Sequence, residues 1–203
     1  LGESTGFDKT SGMFSEGVLE HFPNIVKEDE KRLNNITIRE HFLTRIFVIA
    51  NLREFSNTES VQKLFEFYSH NMLLLLCHDE KLTLELGSIF KTEDSFTIIL
   101  DCFKKTVPKI LSHPIQIIPM IDTFNYIFNY VKLKLSESEK SHYHYLIDSF
   151  ESDLISHSEI STLLYSWALR YNLQSIIDQS MFNPFPKKLL LDLGELKKEF
   201  SIL

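Results

Sequence analysis

Three arginines, Arg39, Arg45 and Arg53, have the spacing of residues that could bind an anion. They lie on a helix predicted over residues 38–55, away from its polar face and among apolar neighbours: Phe42, Ile46, Ile49 and Leu52. An unpaired charge in such a region costs on the order of several kcal/mol, so each guanidinium needs a partner. Either each pairs with a carboxylate of a neighbouring helix, with Glu66 and Glu85 as candidates, or the arginines form a pocket for an anion such as phosphate.

The histidines and cysteines do not have the spacing of a metal site. His70 and His78 lie eight residues apart, whereas two ligands on one helix face lie three or four apart. Cys77 and Cys102 are isolated within apolar helical patterns, which favours a reducing, cytoplasmic location over a disulfide framework. No nucleophile with a matching base and no Gly-rich nucleotide loop can be named. We therefore expect no catalytic residue, no metal and no cofactor in this chain.

The elements that must position these residues are helical throughout. From residue 37 onward no segment shows the period-two alternation of a strand, and the pattern predicts an all-α, compact bundle of about eight helices. The stretch 66–87 contains six consecutive apolar residues, 72–77, on a helix that is apolar all round, which predicts a buried central helix. The predicted helices cover about 38–55, 59–77, 80–91, 94–112, 114–135, 136–154, 159–171 and 173–181.

Residues 1–36 form a separate, irregular N-terminal segment with one short helix predicted near 13–22. They hold four of the six glycines and the charge run KEDEKR, so we place the domain boundary before residue 37 and assign 37–203 to the helical domain. The apolar run is far shorter than the roughly 20 residues of a membrane helix. The net charge of −7 argues against a strong electrostatic footprint for nucleic acid.

Several stretches resemble the YbgA-like bacterial domain of unknown function. They are REHFLTRIF at 39–47, EFYSHNMLLLLCH at 66–78, NYVKLKLS at 129–136 and MFNPFPKKL at 181–189, and the resemblance covers about 33–191. Residues 12–35 resemble the end of a thiouracil/4-thiouridine desulfidase-like domain. Such fusions imply sulfur removal from 4-thiouridine in tRNA, on an iron–sulfur cluster held by cysteines of the upstream domain. None of those cysteines is present here.

The resemblance implies a non-catalytic accessory domain that binds RNA, with tRNA and a desulfidase-like domain, in cis or in trans, as partners. Two basic runs of the family are replaced by 70-HNM-72 and 165-YSW-167, so we expect weak binding. The alternative is a protein-interaction bundle anchored by aromatic residues such as Trp167, Tyr143 or Phe185. A third hypothesis is an enzyme acting on a small thiolated nucleotide. The candidate RNA- or anion-binding residues at matching positions are Arg39, Arg45, Arg53, His78, Tyr130 and Lys132.

Overall fold

The computed structural model describes residues 28–29, 31–92, 94–186 and 189, and over these residues the fold is all-α. The eight predicted helices are confirmed, and none of the described residues is in a strand. The short helix predicted near 13–22 and most of the desulfidase-like stretch lie outside the described residues. The helices are α1 (Ile36–Ser56), α2 (Val61–His78), α3 (Glu80–Ser88), α4 (Phe96–Ser112), α5 (Ile117–Val131), α6 (Glu137–Glu151), α7 (His157–Arg170) and α8 (Gln174–Ile177).

Helix α2 is the centre of the bundle, as its apolar run predicted. Its residues Leu64 and Phe67 pack with α1 and α4 in one core cluster. Its residues Leu73 and Cys77 pack with α5, α6 and α7 in a second cluster. Because α2 contributes to both clusters, its C-terminal half is enclosed, and the six apolar residues are core rather than a membrane segment.

Local signals set most helix boundaries. Asn35 accepts hydrogen bonds from the backbone N–H groups of Thr37 and Ile38 and so caps α1. Ser136 and Glu139 form a capping box at the start of α6.

Two predicted helix starts were wrong. Helix α4 begins at Phe96 rather than near residue 94, and Ser95 occupies its N-cap position. Helix α5 begins at Ile117 rather than at Pro114 because the N–H of Gln116 donates to the carbonyl of Cys77, at 3.0 Å. That bond holds the residues before α5 in an extended conformation against the C-terminal end of α2.

Gln179 ties the turn after α8 to the middle of α2. Its Nε2 donates to the carbonyl of Ser69 at 2.8 Å, and its Oε1 accepts from the N–H of Leu73 at 3.3 Å. The Ser69 carbonyl and the Leu73 N–H are four residues apart on α2, so the buried Gln179 amide hydrogen-bonds to the backbone at both ends of one helical turn. The carboxyl-terminal part of the bundle is thereby fixed to its central helix.

Candidate functional site

His78 is the last residue of α2 and is fully buried. Its Nδ1 lies 2.7 Å from the carbonyl oxygen of His113. A carbonyl only accepts, so Nδ1 carries the proton, and Nε2 of the neutral ring is left with a lone pair. Nε2 is buried and has no hydrogen-bond partner among the described residues. Burial lowers the pKa of His78 to about 4, and the positive neighbours His41 and Arg45 act in the same direction, against the bond to His113.

His41 of α1 stacks on His78, with the ring centroids 5.3 Å apart and an interplanar angle of 29°. Its Nε2 is also buried and lacks a partner in the described part of the chain. Burial lowers the pKa of His41, and the charge of Arg45 lowers it further. His41 and Arg45 are four residues apart, which places them on the same face of α1.

Arg45 brings a guanidinium to this face, and no carboxylate of the described residues is bound to it. No ion pair to Arg39, Arg45 or Arg53 is formed within the described ranges. Nε of Arg45 is buried without a partner there, and burial lowers the pKa of Arg45 while the charge of Glu28 raises it. Glu28 itself pairs with Arg32, at 3.0 Å.

The carboxylates predicted to neutralise the arginines were the wrong ones. Glu66 pairs with Lys63 at 2.6 Å, and Glu85 lies 4.0 Å from Lys81. Each lysine is three or four residues before its glutamate on the same helix, so these carboxylates are satisfied locally on the surface. The anion-pocket interpretation therefore gains support for Arg45.

We call Arg45, His41 and His78 the cation cluster. His113 borders it and is held by Asp79, with Nδ1 2.9 Å from Oδ2. The cluster combines a guanidinium, which donates hydrogen bonds, with two imidazoles that gain a second donor when protonated. Among the described residues no three histidine, cysteine or carboxylate side chains are grouped so that they could hold a metal ion. The arrangement is suited to binding an oxyanion.

The structure brings together only two of the six predicted site residues, Arg45 and His78. Arg39 is two positions before His41 and so on a different face of α1, with a buried Nε that has no partner in the described chain. Arg53 is exposed and eight residues beyond Arg45, about 12 Å along the helix.

Tyr130 and Lys132 lie away from His78, at and just beyond the far end of α5. The start of α5 meets the end of α2 at Gln116, so Tyr130, near the other end of α5, is about 20 Å away along the helix. The Tyr130 hydroxyl is 2.6 Å from that of Tyr126, and this hydrogen bond, with burial, raises the pKa of Tyr126 to about 12. Both tyrosines line a groove of about 320 Å³ with His70 and Gln179, whereas Lys132 is exposed.

The aromatic residues predicted as interface anchors are not available on the surface. Trp167, Tyr143 and Phe185 are all buried. The Tyr143 ring stacks on the Phe128 ring with centroids 4.1 Å apart, so it packs in the core and does not face solvent. The exposed aromatic side chains instead include Phe65, Tyr126, Tyr130 and Tyr145.

Sequence reasoning missed His41 and His113. His41 had a usable signal, since it precedes Arg45 by one helical turn. His113 had none, because its role comes from contacts with His78 and Asp79, which belong to another part of the chain.

Comparison with known proteins gives a family but no characterised relative. None of the described helices is long and apolar enough to cross a membrane. No curated protein and no solved structure matches the chain. Residues 72–186, more than half of the sequence, match the family described as "Protein of unknown function (DUF1722)". The predicted resemblance to a domain of unknown function is thereby confirmed over these residues, and the chain belongs to the DUF1722 family.

Proposed function

We propose that this chain is a non-catalytic helical accessory domain that binds RNA, with tRNA as the ligand. The observation that carries the proposal is Arg45, a half-buried guanidinium with no carboxylate ion pair in the described chain, beside His41 and His78. Within the described residues the one carboxylate that acts on this guanidinium, Glu28, is paired with Arg32, and a phosphate group matches the geometry of a guanidinium. The YbgA-like resemblance supplies the tRNA context, in which a desulfidase-like domain in cis or in trans carries the sulfur chemistry on its own iron–sulfur cluster.

The salt dependence of binding follows from the small number of cations involved. The chain carries a net charge of −7, so its overall field does not attract RNA. Each phosphate neutralised on a single strand contributes about 0.7 to the slope of log affinity against log salt concentration. One or two contacts therefore predict a slope of about 1, much shallower than that of a basic RNA-binding protein.

Fluorescence anisotropy with labelled tRNA at low salt tests the proposal. We expect Arg45→Gln to weaken binding about 10- to 100-fold, because a charge-assisted hydrogen bond contributes about 1.5–3 kcal/mol. Arg170→Gln is the matched control, since Arg170 is exposed and already paired with Glu139 at 2.6 Å. Circular dichroism checks that both variants keep their helices. Absence of binding by the wild type at low salt, or equal affinities for wild type and Arg45→Gln, would contradict the proposal.

A protein-interaction bundle is the second candidate function, and one observation favours it. Ile115, Ile117 and Ile118 lie before and at the start of α5, and Ile118 is 72% exposed. Neighbouring exposed isoleucines are typical of a surface that another protein covers. Sedimentation of the chain with an added desulfidase-like domain tests this candidate. A complex that Ile118→Asp abolishes supports it, and separate sedimentation of the two wild-type proteins contradicts it.

A further inference from the structure

We propose that the cation cluster is a pocket for one tetrahedral oxyanion, a phosphate group, which binds together with a proton that His78 takes up at Nε2. This deepens the proposed function and rests on it for the source of the phosphate. The pocket stands on three buried nitrogen atoms of α1 and α2 that lack hydrogen-bond partners among the described residues: Nε2 of His41, Nε of Arg45 and Nε2 of His78. Buried polar atoms without partners are rare, and several close together indicate a missing ligand.

The proton requirement follows from the tautomer of His78. Its Nδ1–H is committed to the carbonyl of His113 at 2.7 Å, so the free Nε2 of the neutral ring is an acceptor. An acceptor repels the oxygen of an anion. When a solvent proton adds to Nε2, the ring becomes a cation that carries a buried N–H beside the stacked ring of His41. The anion then receives donors from His78 and from Arg45, and its charge offsets the added positive charge.

The charged groups around His78 determine whether a bound anion raises or lowers the pKa of its ring. From α1, His41 and Arg45 face the ring and oppose its protonation; from the turn after α4, His113 does the same. Asp79, the neighbouring carboxylate on the chain, is bound to His113. Glu28, which acts on both His41 and Arg45, is shared with Arg32. Burial and the electrostatic effects of His41, Arg45 and His113 keep the pKa of His78 low when no anion is bound. The negative charge of a bound anion opposes these electrostatic effects and raises the pKa.

A metal ion fits the cluster less well than an anion. Two neutral imidazoles present lone pairs, but the guanidinium of Arg45 acts electrostatically on both rings and would repel a cation. No third histidine, cysteine or carboxylate completes a ligand set within the part of the chain that the structure describes.

Isothermal titration calorimetry with inorganic sulfate and inorganic phosphate tests the pocket on the full chain. Sulfate stays a dianion between about pH 5 and pH 8, so any proton uptake comes from the protein. Repeating the titration near pH 6 in two buffers of different ionisation enthalpy counts the protons. We expect about one proton taken up per sulfate, and an affinity that rises about tenfold for each pH unit lowered. No sulfate binding, or binding without proton uptake, would overturn the inference.

His78→Asn is the informative variant because its amide N–H replaces Nδ1 at the His113 carbonyl while nothing replaces Nε2. We expect this variant to lose the proton uptake and at least tenfold in sulfate affinity. His70→Asn, at an exposed position of the same helix, is the control and should bind sulfate as the wild type does. Unchanged sulfate binding by His78→Asn would also overturn the inference. The proton count on the wild type does not depend on whether the variant folds.

Two further arms separate this inference from the proposed function. Binding of tRNA without binding of sulfate or phosphate would leave the RNA proposal standing and remove the pocket. Binding of the small anions without tRNA would support the pocket and remove the RNA proposal. If both bind, phosphate is added to the tRNA complex. Displacement of tRNA supports an RNA phosphate as the occupant, and a ternary complex supports free phosphate.

Discussion

His78 should make the folded protein sensitive to acid, because the fold holds its ring neutral. Histidine in an unfolded chain has a pKa near 6.5, and burial lowers the pKa of His78 in the folded protein to about 4. Below pH 6.5 the unfolded chain binds a proton that the folded chain does not bind until pH 4. The stability that the neutral ring contributes is therefore complete above about pH 6.5 and is lost as the pH falls from 6.5 to 4.

The size of the effect follows from the two pKa values. Each pH unit between them changes the free energy of unfolding by about 1.4 kcal/mol. At about pH 5 the loss from His78 is about 2 kcal/mol, and below pH 4 it approaches about 3 kcal/mol. A domain is stabilised by only about 5–15 kcal/mol in total, so this one ring accounts for a measurable part of any acid unfolding.

Urea unfolding of the wild type and of His78→Asn, at about pH 7.5 and about pH 5, isolates this contribution. The buffers contain chloride and neither phosphate nor sulfate, so that no oxyanion fills the cation cluster. We expect His78→Asn to have a smaller free energy of unfolding than the wild type at about pH 7.5. Because asparagine does not titrate, the gap between the two free energies should narrow by about 2 kcal/mol at about pH 5. His70→Asn, at an exposed position of the same helix, is measured in parallel as the control. A gap for His78→Asn that is constant within about 0.5 kcal/mol would refute the reasoning.

Two further substitutions test the packing around α2. A Cβ added at Gly87 would lie 2.7 Å from Cζ of the buried Tyr68 ring. Gly87→Ala should therefore lower the free energy of unfolding, measured by urea titration, by about 1–3 kcal/mol. An unchanged urea midpoint would contradict the tight contact. Gln179→Ala leaves the Ser69 carbonyl without its amide partner and should lower the free energy of unfolding by about 1–3 kcal/mol. The control Gln174→Ala removes only an exposed side-chain hydrogen bond and should lower it by less than about 0.5 kcal/mol. Equal losses of stability would show that Gln179 does not fix the turn to α2.

The helices and the buried position of α2 could be predicted because each depends on nearby residues. A run of apolar residues at 72–77 leaves no polar side on the helix, whatever packs around it. The capping box at Ser136 needs only four residues. The start of α5 could not be predicted, because the N–H of Gln116 bonds to Cys77, which lies on another helix. Helix periodicity carries no information about such a bond.

The candidate site was predictable only in part, for a similar reason. Periodicity identified Arg45 as a cation among apolar neighbours, but it gave the wrong carboxylate partners. Lysines one turn away satisfy those glutamates, and local pairs form without any tertiary packing. The grouping of Arg45 with His78 depends on how α1 packs against the end of α2. The same is true of Trp167, whose burial follows from the α7 face that meets α5.

The cation cluster crosses the boundary of the family match, and this limits what family membership implies. His78 and His113 lie within residues 72–186, whereas His41 and Arg45 precede them. The match begins inside α2 and omits α1, although Val48 and Leu52 of α1 are buried in the core cluster that includes Leu64 of α2. A fragment restricted to the matched residues would expose that core and lack the guanidinium. Anion binding is therefore expected only in family members that also carry a helix equivalent to α1, with an arginine one turn after a histidine.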